Sequence, residues 1–126
     1  MRRLVASGSP YERVVGFSRA VVAGHHVTVA GTAPIPQDGS NPPSGAYEQA
    51  RLCLEIIVAA LREAGAGPEH VVRTRVFLVD GSDWEAAGRA HGEVFGEIRP
   101  ASTMVVVMGL LDPRWKLEIE ADAILE

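Results

Sequence analysis

Three carboxylates recur at every second position near the end of the chain: Glu118, Glu120 and Asp122. Side chains two residues apart in a strand point to the same face, so these three would form one acidic row. Carboxylates in such a row can transfer protons in a hydrolytic reaction. They can equally form a solvated strip, or pair across strands with Arg73 and Arg75. The spacing alone leaves both interpretations open.

The histidines give weaker signals. His91 falls on one helical face with four apolar residues, which favours a packed, hydrogen-bonded histidine over a base. Those four are Trp84, Ala87, Val94 and Phe95. His25 and His26 lie at a hairpin with no further ligands at metal spacing, so we expect no metal site.

Two other nucleophile types are present, and neither is placed for catalysis. Cys53 lies within a helical pattern and is expected to be a buried apolar filler. Ser102 has no recognisable histidine and acid partners in the sequence, so we do not assign it as a nucleophile. No cofactor is expected.

The hydrophobic pattern predicts six strands and two helices. Apolar residues recur at helical spacing over 46–64, and Gly65 is placed to end that helix. Ser82 and Glu85 have capping-box spacing, which predicts a second helix from there to about Phe95. The predicted strands are 3–7, 18–23, 26–30, 71–79, 103–108 and 116–125, with a loop over 34–45.

The resulting order is β-β-β-α-β-α-β-β in a single domain, residues 1–126. Two helices cannot cover both faces of a six-stranded sheet, so we predict an α+β fold with the helices on one face. The segment 104–108 is apolar at every position, which is typical of a strand buried on both faces. Because the helices cover one face only, we infer that a second subunit covers the other.

Composition narrows the class of protein. Of the 126 residues, 47% are hydrophobic and 22% charged, as in an ordinary globular protein. No apolar stretch reaches the roughly 18 residues of a membrane span, and residues 1–5 lead into polar positions rather than a signal-peptide core. The single cysteine excludes an internal disulfide and fits a cytoplasmic location. The net charge of −4 has the wrong sign for a protein held on phosphate backbones.

Four segments together resemble a known family. They are 16–21 (GFSRAV), 27–34 (VTVAGTAP), 100–105 (PASTMV) and 117–123 (LEIEADA). In this order they resemble the reactive intermediate deaminase family, the Rid or YjgF group that is often labelled endoribonuclease L-PSP-like. The resemblance implies a chorismate-mutase-like domain with a six-stranded, mostly antiparallel sheet. It also implies a homotrimer with ligand clefts between neighbouring subunits.

The same resemblance implies roles for two residues that match the family. Glu120 would position or activate the water that attacks a C=N carbon. Gly31 would bring its backbone close to a ligand, and it is also compatible with a bulge or a hairpin end.

Other substrate-binding positions depart from the family pattern. The family's deaminases carry an arginine for the substrate carboxylate where this chain has Ser102. Where the family usually has a tyrosine, this chain has Phe17. Where the family has a small or thiol-bearing residue, this chain has Met104. Arg19 shares the strand parity of Phe17, so it is either a replacement anchor in the same cleft or a surface arginine.

These observations favour a Rid-like hydrolase that deaminates an imine, an enamine or a related reactive intermediate. A specialised metabolic pathway is one context in which such an enzyme would act. The alternative is a non-catalytic small-molecule-binding or regulatory trimer, which the loss of the arginine favours. RNA cleavage ranks last, because the chain is acidic and offers no histidine pair for phosphodiester chemistry. We therefore expect a small-molecule substrate and a homotrimer, with no nucleic-acid or membrane partner.

Overall fold

A computed structural model describes residues 2–126 of the chain. Every predicted strand and helix is present, with each end within two residues of its predicted position. The strands are β1 (Arg2–Val5), β2 (Ala20–Ala23), β3 (His26–Thr32), β4 (Val71–Leu78), β5 (Ala101–Val106) and β6 (Leu117–Ile124). The helices are α1 (Pro10–Val15), α2 (Ala46–Glu63) and α3 (Trp84–Phe95).

The six strands form one mixed sheet in the order β1-β2-β3-β6-β4-β5. All neighbouring pairs are antiparallel except β4 and β5, which are parallel. A parallel pair needs a crossover rather than a hairpin, and α3 lies in that connection. The hairpin between β2 and β3 is confirmed, with Gly24 turning the chain at a φ of 60°.

The core lies between α2 and the inner face of the sheet. The predicted apolar stripe of α2 is buried, including Leu54, Ile57 and Leu61, and Gly65 follows the helix at a φ of 87°. The stripe belongs to one apolar cluster with the inward side chains of β6, such as Ile119. Cys53 is fully buried in this cluster, as expected of an apolar filler.

Two local details differ from the sequence prediction. The short helix α1 was not predicted; Ser9 caps it by accepting a hydrogen bond from the backbone of Tyr11, and a proline follows the cap. The predicted capping box at Ser82 is wrong. The side chain of Asp80 instead caps a 3-10 turn at Gly81–Asp83, and α3 begins only at Trp84. The carboxylate of Asp80 accepts hydrogen bonds from both the backbone N–H and the hydroxyl of Ser82, at 2.9 and 2.8 Å, so the serine side chain is engaged with Asp80 and not with the start of α3.

Helices α2 and α3 pack on one face of the sheet, and we call the other the open face. On β6 the buried residues alternate with Glu118, Glu120 and Asp122, which lie on the open face. Strand β5 is at the sheet edge, and Val105 and Val106 are 42% and 61% exposed. Within one chain this apolar strand is therefore not covered on both faces. An exposed apolar edge of this kind is a site for pairing with another chain.

The part of the chain from residue 2 to residue 126 contains no helix that is both long and apolar enough to cross a membrane.

Candidate functional site

Arg19, Phe17 and Gly31 lie together beside the start of β2. Arg19 is only 8% exposed, so its interpretation as a surface arginine is wrong. Its Nη2 donates a 2.7 Å hydrogen bond to the carbonyl oxygen of Gly31. Its guanidinium carbon lies 5.7 Å from the centroid of the Phe17 ring. Helix α1 sets this position, because the chain turns at Gly16 with a φ of 91° directly before Phe17.

Helix α1 contributes a negative charge, that of Glu12, to the surroundings of the Arg19 guanidinium. Glu12 of that helix is buried and accepts hydrogen bonds from both the backbone N–H and the hydroxyl of Ser7. Burial lowers the pKa of Arg19, and the negative charges of Glu12 and Glu118 oppose that effect. Among residues 2–126, the Arg19 Nε has no hydrogen-bond partner. Arg19 is therefore a buried cation with one donor unpartnered among residues 2–126, and its role as a replacement anchor stays a prediction.

Gly31 lies at a break in the register between β3 and β6, between Val29 and Thr32. A Cβ atom at this position would lie 2.5 Å from Oε2 of Glu118, so the glycine makes room for that carboxyl group. Burial raises the pKa of Glu118, with Glu120 adding to the rise and Arg19 opposing it. The strand glycine thus brings exposed backbone and a half-buried carboxyl group together.

Glu120 lies on the open face, one side-chain row from Glu118. Its Oε1 accepts a 3.1 Å hydrogen bond from Nη1 of Arg75, which also lies 3.8 Å from a carboxylate oxygen of Asp122. The cross-strand pair considered in the sequence is therefore formed, and by Arg75 on the neighbouring strand β4. Both side chains are partly exposed, so the pair leaves Glu120 accessible from the open face.

Ser102 and Met104 lie on the helix-facing side of β5. Ser102 Oγ accepts a 2.8 Å hydrogen bond from Thr74 Oγ1, which is also 2.8 Å from Nε2 of His91. The His91 ring centroid lies 4.7 Å from that of Phe95, so the predicted packed, hydrogen-bonded histidine is confirmed. Burial lowers the pKa of His91. Met104 packs against the core at its edge.

The predicted site residues therefore form two groups in one chain. Gly31 and Glu120 lie on the adjacent strands β3 and β6, with Phe17 and Arg19 beside Gly31. Ser102 is on β5, three strands from Gly31, or about 14 Å at ordinary strand spacing. The two depressions on the outer surface of α2 contain residues from neither group. A single chain does not enclose a cleft that uses both groups.

The amino-acid sequence of this chain matches the model of a known protein family. The model for Endoribonuclease L-PSP matches residues 9–125, nearly the whole chain. The chain belongs to this family. The resemblance drawn from four short segments is thereby confirmed over the full domain.

The relatives of this chain include proteins with a named activity and proteins without one. An uncharacterized protein of Streptomyces coelicolor is 44% identical over 121 residues, covering 96% of this chain and 90% of the relative. The crystal structure of a YjgF/YER057c/UK114 family member from Mycobacterium tuberculosis is 42% identical, with a TM-score of 0.91 and coverage of 99% and 100% of the two chains. The 2-iminobutanoate/2-iminopropanoate deaminase of Capra hircus is 28% identical over 126 residues, covering 98% of this chain and 90% of the relative. The family fold is therefore shared with an imine deaminase.

Two further residues lie in the site and carry little signal in the sequence. The signal for Thr74 is that it is a polar residue at an inward position of an otherwise apolar strand face. The closeness of Glu118 to Gly31 depends on a register break between strands that are remote in sequence.

Proposed function

We propose that this protein is a hydrolase that deaminates an imine, an enamine or a related reactive small molecule, in a cleft formed between subunits of a homotrimer. The observation that carries the proposal is Glu120, a partly exposed carboxylate on the open face beside the strand of Gly31, in a fold shared with a named imine deaminase. The proposal requires no cofactor.

Hydrolysis of a C=N bond needs a held water molecule, a proton acceptor and an anchor for the substrate. Water adds its oxygen to the imine carbon, and its proton passes to the carboxylate of Glu120. Glu120 returns this proton to the nitrogen, which gives the neutral carbinolamine. The carbinolamine hydroxyl then passes its proton through Glu120 to the nitrogen, the C–N bond breaks, and ammonia leaves as the carbonyl forms. In this scheme Arg75 orients the Glu120 carboxylate through their 3.1 Å hydrogen bond.

The remaining site residues would shape the cleft from two subunits. Phe17 and Gly31 of one subunit would line it together with Ser102 and Met104 of the next. Arg19 supports this wall by holding the carbonyl of Gly31. This division follows from the distance between the two groups in one chain, and from the exposed apolar edge of β5, which a neighbouring subunit would cover.

The trimer is testable by itself. Burying the exposed side chains of β5 and the residues after it, such as Val106 and Met108, favours association. Light scattering at micromolar concentration should give about three times the mass of one chain. A stable single-chain species would contradict both the trimer and the shared cleft.

The activity is tested by ammonia release from imines generated in the assay, 2-imino acids from an amino-acid oxidase and uncharged imines from an amine oxidase. Faster ammonia release than in the oxidase reaction alone supports the hydrolase, and equal rates for a broad panel of imines contradict it.

A second candidate is a non-catalytic binder of small molecules. It is favoured by Ser102, which carries no charge at the position where the family's deaminases carry an arginine. Absence of any acceleration of ammonia release, together with a ligand visible in the cleft of a crystal structure, would establish this alternative.

A further inference from the structure

A chain of hydrogen bonds runs from α3 along the helix-facing side of the sheet to the exposed edge strand β5. Thr74 Oγ1 donates its hydrogen to Ser102 Oγ, and His91 Nε2 lies 2.8 Å from the same threonine oxygen. A threonine hydroxyl has a single hydrogen, so the bond to His91 must use the N–H of the histidine as donor. The chain therefore runs in one direction, from His91 to Thr74 to Ser102. The hydrogen of the exposed Ser102 hydroxyl is left for an acceptor outside this chain of three residues.

We propose that the His91–Thr74–Ser102 chain makes the β5 end of the cleft a binding position for a neutral carbonyl oxygen at neutral pH, and for a carboxylate only after His91 is protonated. The inference rests on the proposed function, because it assigns ligand chemistry to the same cleft. It makes Thr74 and His91 specificity-determining residues that act through Ser102.

The preference for a neutral oxygen follows from what the chain offers. A carboxylate that enters a cleft loses strong hydration, and one neutral hydroxyl donor replaces little of it. An amide, ester or keto oxygen loses much less hydration and is matched by one donor. The Ser102 position therefore selects against charged acids as long as the chain is uncharged.

The charge of the chain is set by His91. Burial lowers the pKa of this imidazole, so it is uncharged at neutral pH. The charged groups on the elements packed against α3 and His91 are Glu48, Arg51, Glu55, Arg62 and Glu63 of α2, Arg73 and Arg75 of β4, and Glu69, His70 and Asp83, and none of them contributes to this shift. Protonation of His91 adds a positive charge but does not reverse the direction of the hydrogen bonds, because Nε2 is already a donor. Ser102 then becomes a stronger donor, since charge-assisted hydrogen bonds are roughly twice as strong as neutral ones.

The test uses two probes of nearly equal shape, pyruvate and its amide, pyruvamide. Pyruvate affinity should rise about tenfold as the pH falls through the pKa of His91, whereas pyruvamide affinity should not change over the same range. By linkage, saturating pyruvate should raise the pKa of His91 by about one unit in an NMR titration of the imidazole, and pyruvamide should leave it unchanged.

Matched variants show whether the chain carries the effect. Thr74→Val keeps His91 and Ser102 but removes the hydroxyl that links them, so it should remove the pH dependence of pyruvate binding. Ser102→Ala, at an exposed position that folding tolerates, should do the same. Thr103→Val removes a hydroxyl from the opposite face of β5 and should retain the dependence.

The proposal is overturned if neither probe binds, if pyruvate affinity does not change with pH, or if the change survives both Thr74→Val and Ser102→Ala. These outcomes are independent of ammonia release. A wild-type protein that hydrolyses imines but shows no pH-dependent pyruvate binding would retain the proposed function and lose this inference.

Discussion

Replacement of Glu120 by glutamine separates a catalytic carboxylate from one that only stabilises the sheet. The Arg75–Glu120 hydrogen bond is 3.1 Å long, and the two side chains are 42% and 31% exposed. An ion pair this exposed contributes at most about 1 kcal/mol to folding, and glutamine keeps an oxygen that accepts from Arg75. The melting temperature and subunit mass of Glu120→Gln should therefore change little. Turnover should fall by roughly 10²- to 10⁴-fold, or about 3–5 kcal/mol in the activation barrier, because the proton acceptor is lost.

The assay is ammonia release from imines generated in situ, with thermal melting measured on the same samples. Asp122→Asn is the matched control, since Asp122 lies on the same face of β6 and also near Arg75, at 3.8 Å. This control should keep turnover within a few-fold of wild type. A Glu120→Gln protein with wild-type turnover and a lowered melting temperature would refute the reasoning, because the carboxylate would then serve only the pair with Arg75.

Three further predictions follow from the same face of the sheet and from β5. In Gly31→Ala, the new Cβ would lie 2.5 Å from a Glu118 oxygen and displace that carboxyl group, so turnover should fall about tenfold; unchanged steady-state kinetics would exclude Gly31 from the ligand site. Burial raises the pKa of Glu118 in the folded chain, so its favourable contribution is present in acid and is lost as the pH rises through that pKa. Glu118→Gln should accordingly melt higher than wild type at about pH 7 and equal to it near pH 4, and a lower melting temperature at pH 7 would contradict the assignment. Ser102→Arg should increase the affinity for 2-imino acids by about 10- to 100-fold through a charge-assisted pair, as measured by KM, and strong wild-type turnover of 2-iminopropanoate would show that the serine matters little.

The sheet and the two long helices were predictable because local signals agree with tertiary packing. The apolar stripe of α2 has helical spacing and is also the face that the sheet buries. The row from Glu118 to Asp122 alternates with apolar residues, and β6 shows the same alternation of burial. Pattern and packing lead to the same structure in these elements.

Helix α1 was missed because its six residues show too little periodicity to distinguish a helix from a loop. The capping box failed for a different reason. The hydroxyl of Ser82 donates a 2.8 Å hydrogen bond to Asp80, and the spacing between Ser82 and Glu85 does not reveal that interaction.

The sequence proposes the candidate site residues but does not show how they group. The placement of Ser102 depends on the strand order and register, which put it two strands from Glu120 and on the opposite face of the sheet. The role of Thr74 depends on a parallel pairing of β4 with β5 that no local pattern specifies. The placement of Ser102 and the role of Thr74 both depend on contacts between strands that are remote in sequence.

The central claim, an imine-hydrolysing cleft shared between subunits, is tested most directly by mixing two inactive variants. One variant is Glu120→Gln, and the other is Ser102→Phe, which fills the β5 end of the cleft. If each cleft takes Glu120 from one subunit and Ser102 from the next, random assembly gives about one intact cleft in four. Co-expression of the two should therefore restore about a quarter of the wild-type ammonia release. Mixed trimers that stay as inactive as either parent would contradict the claim.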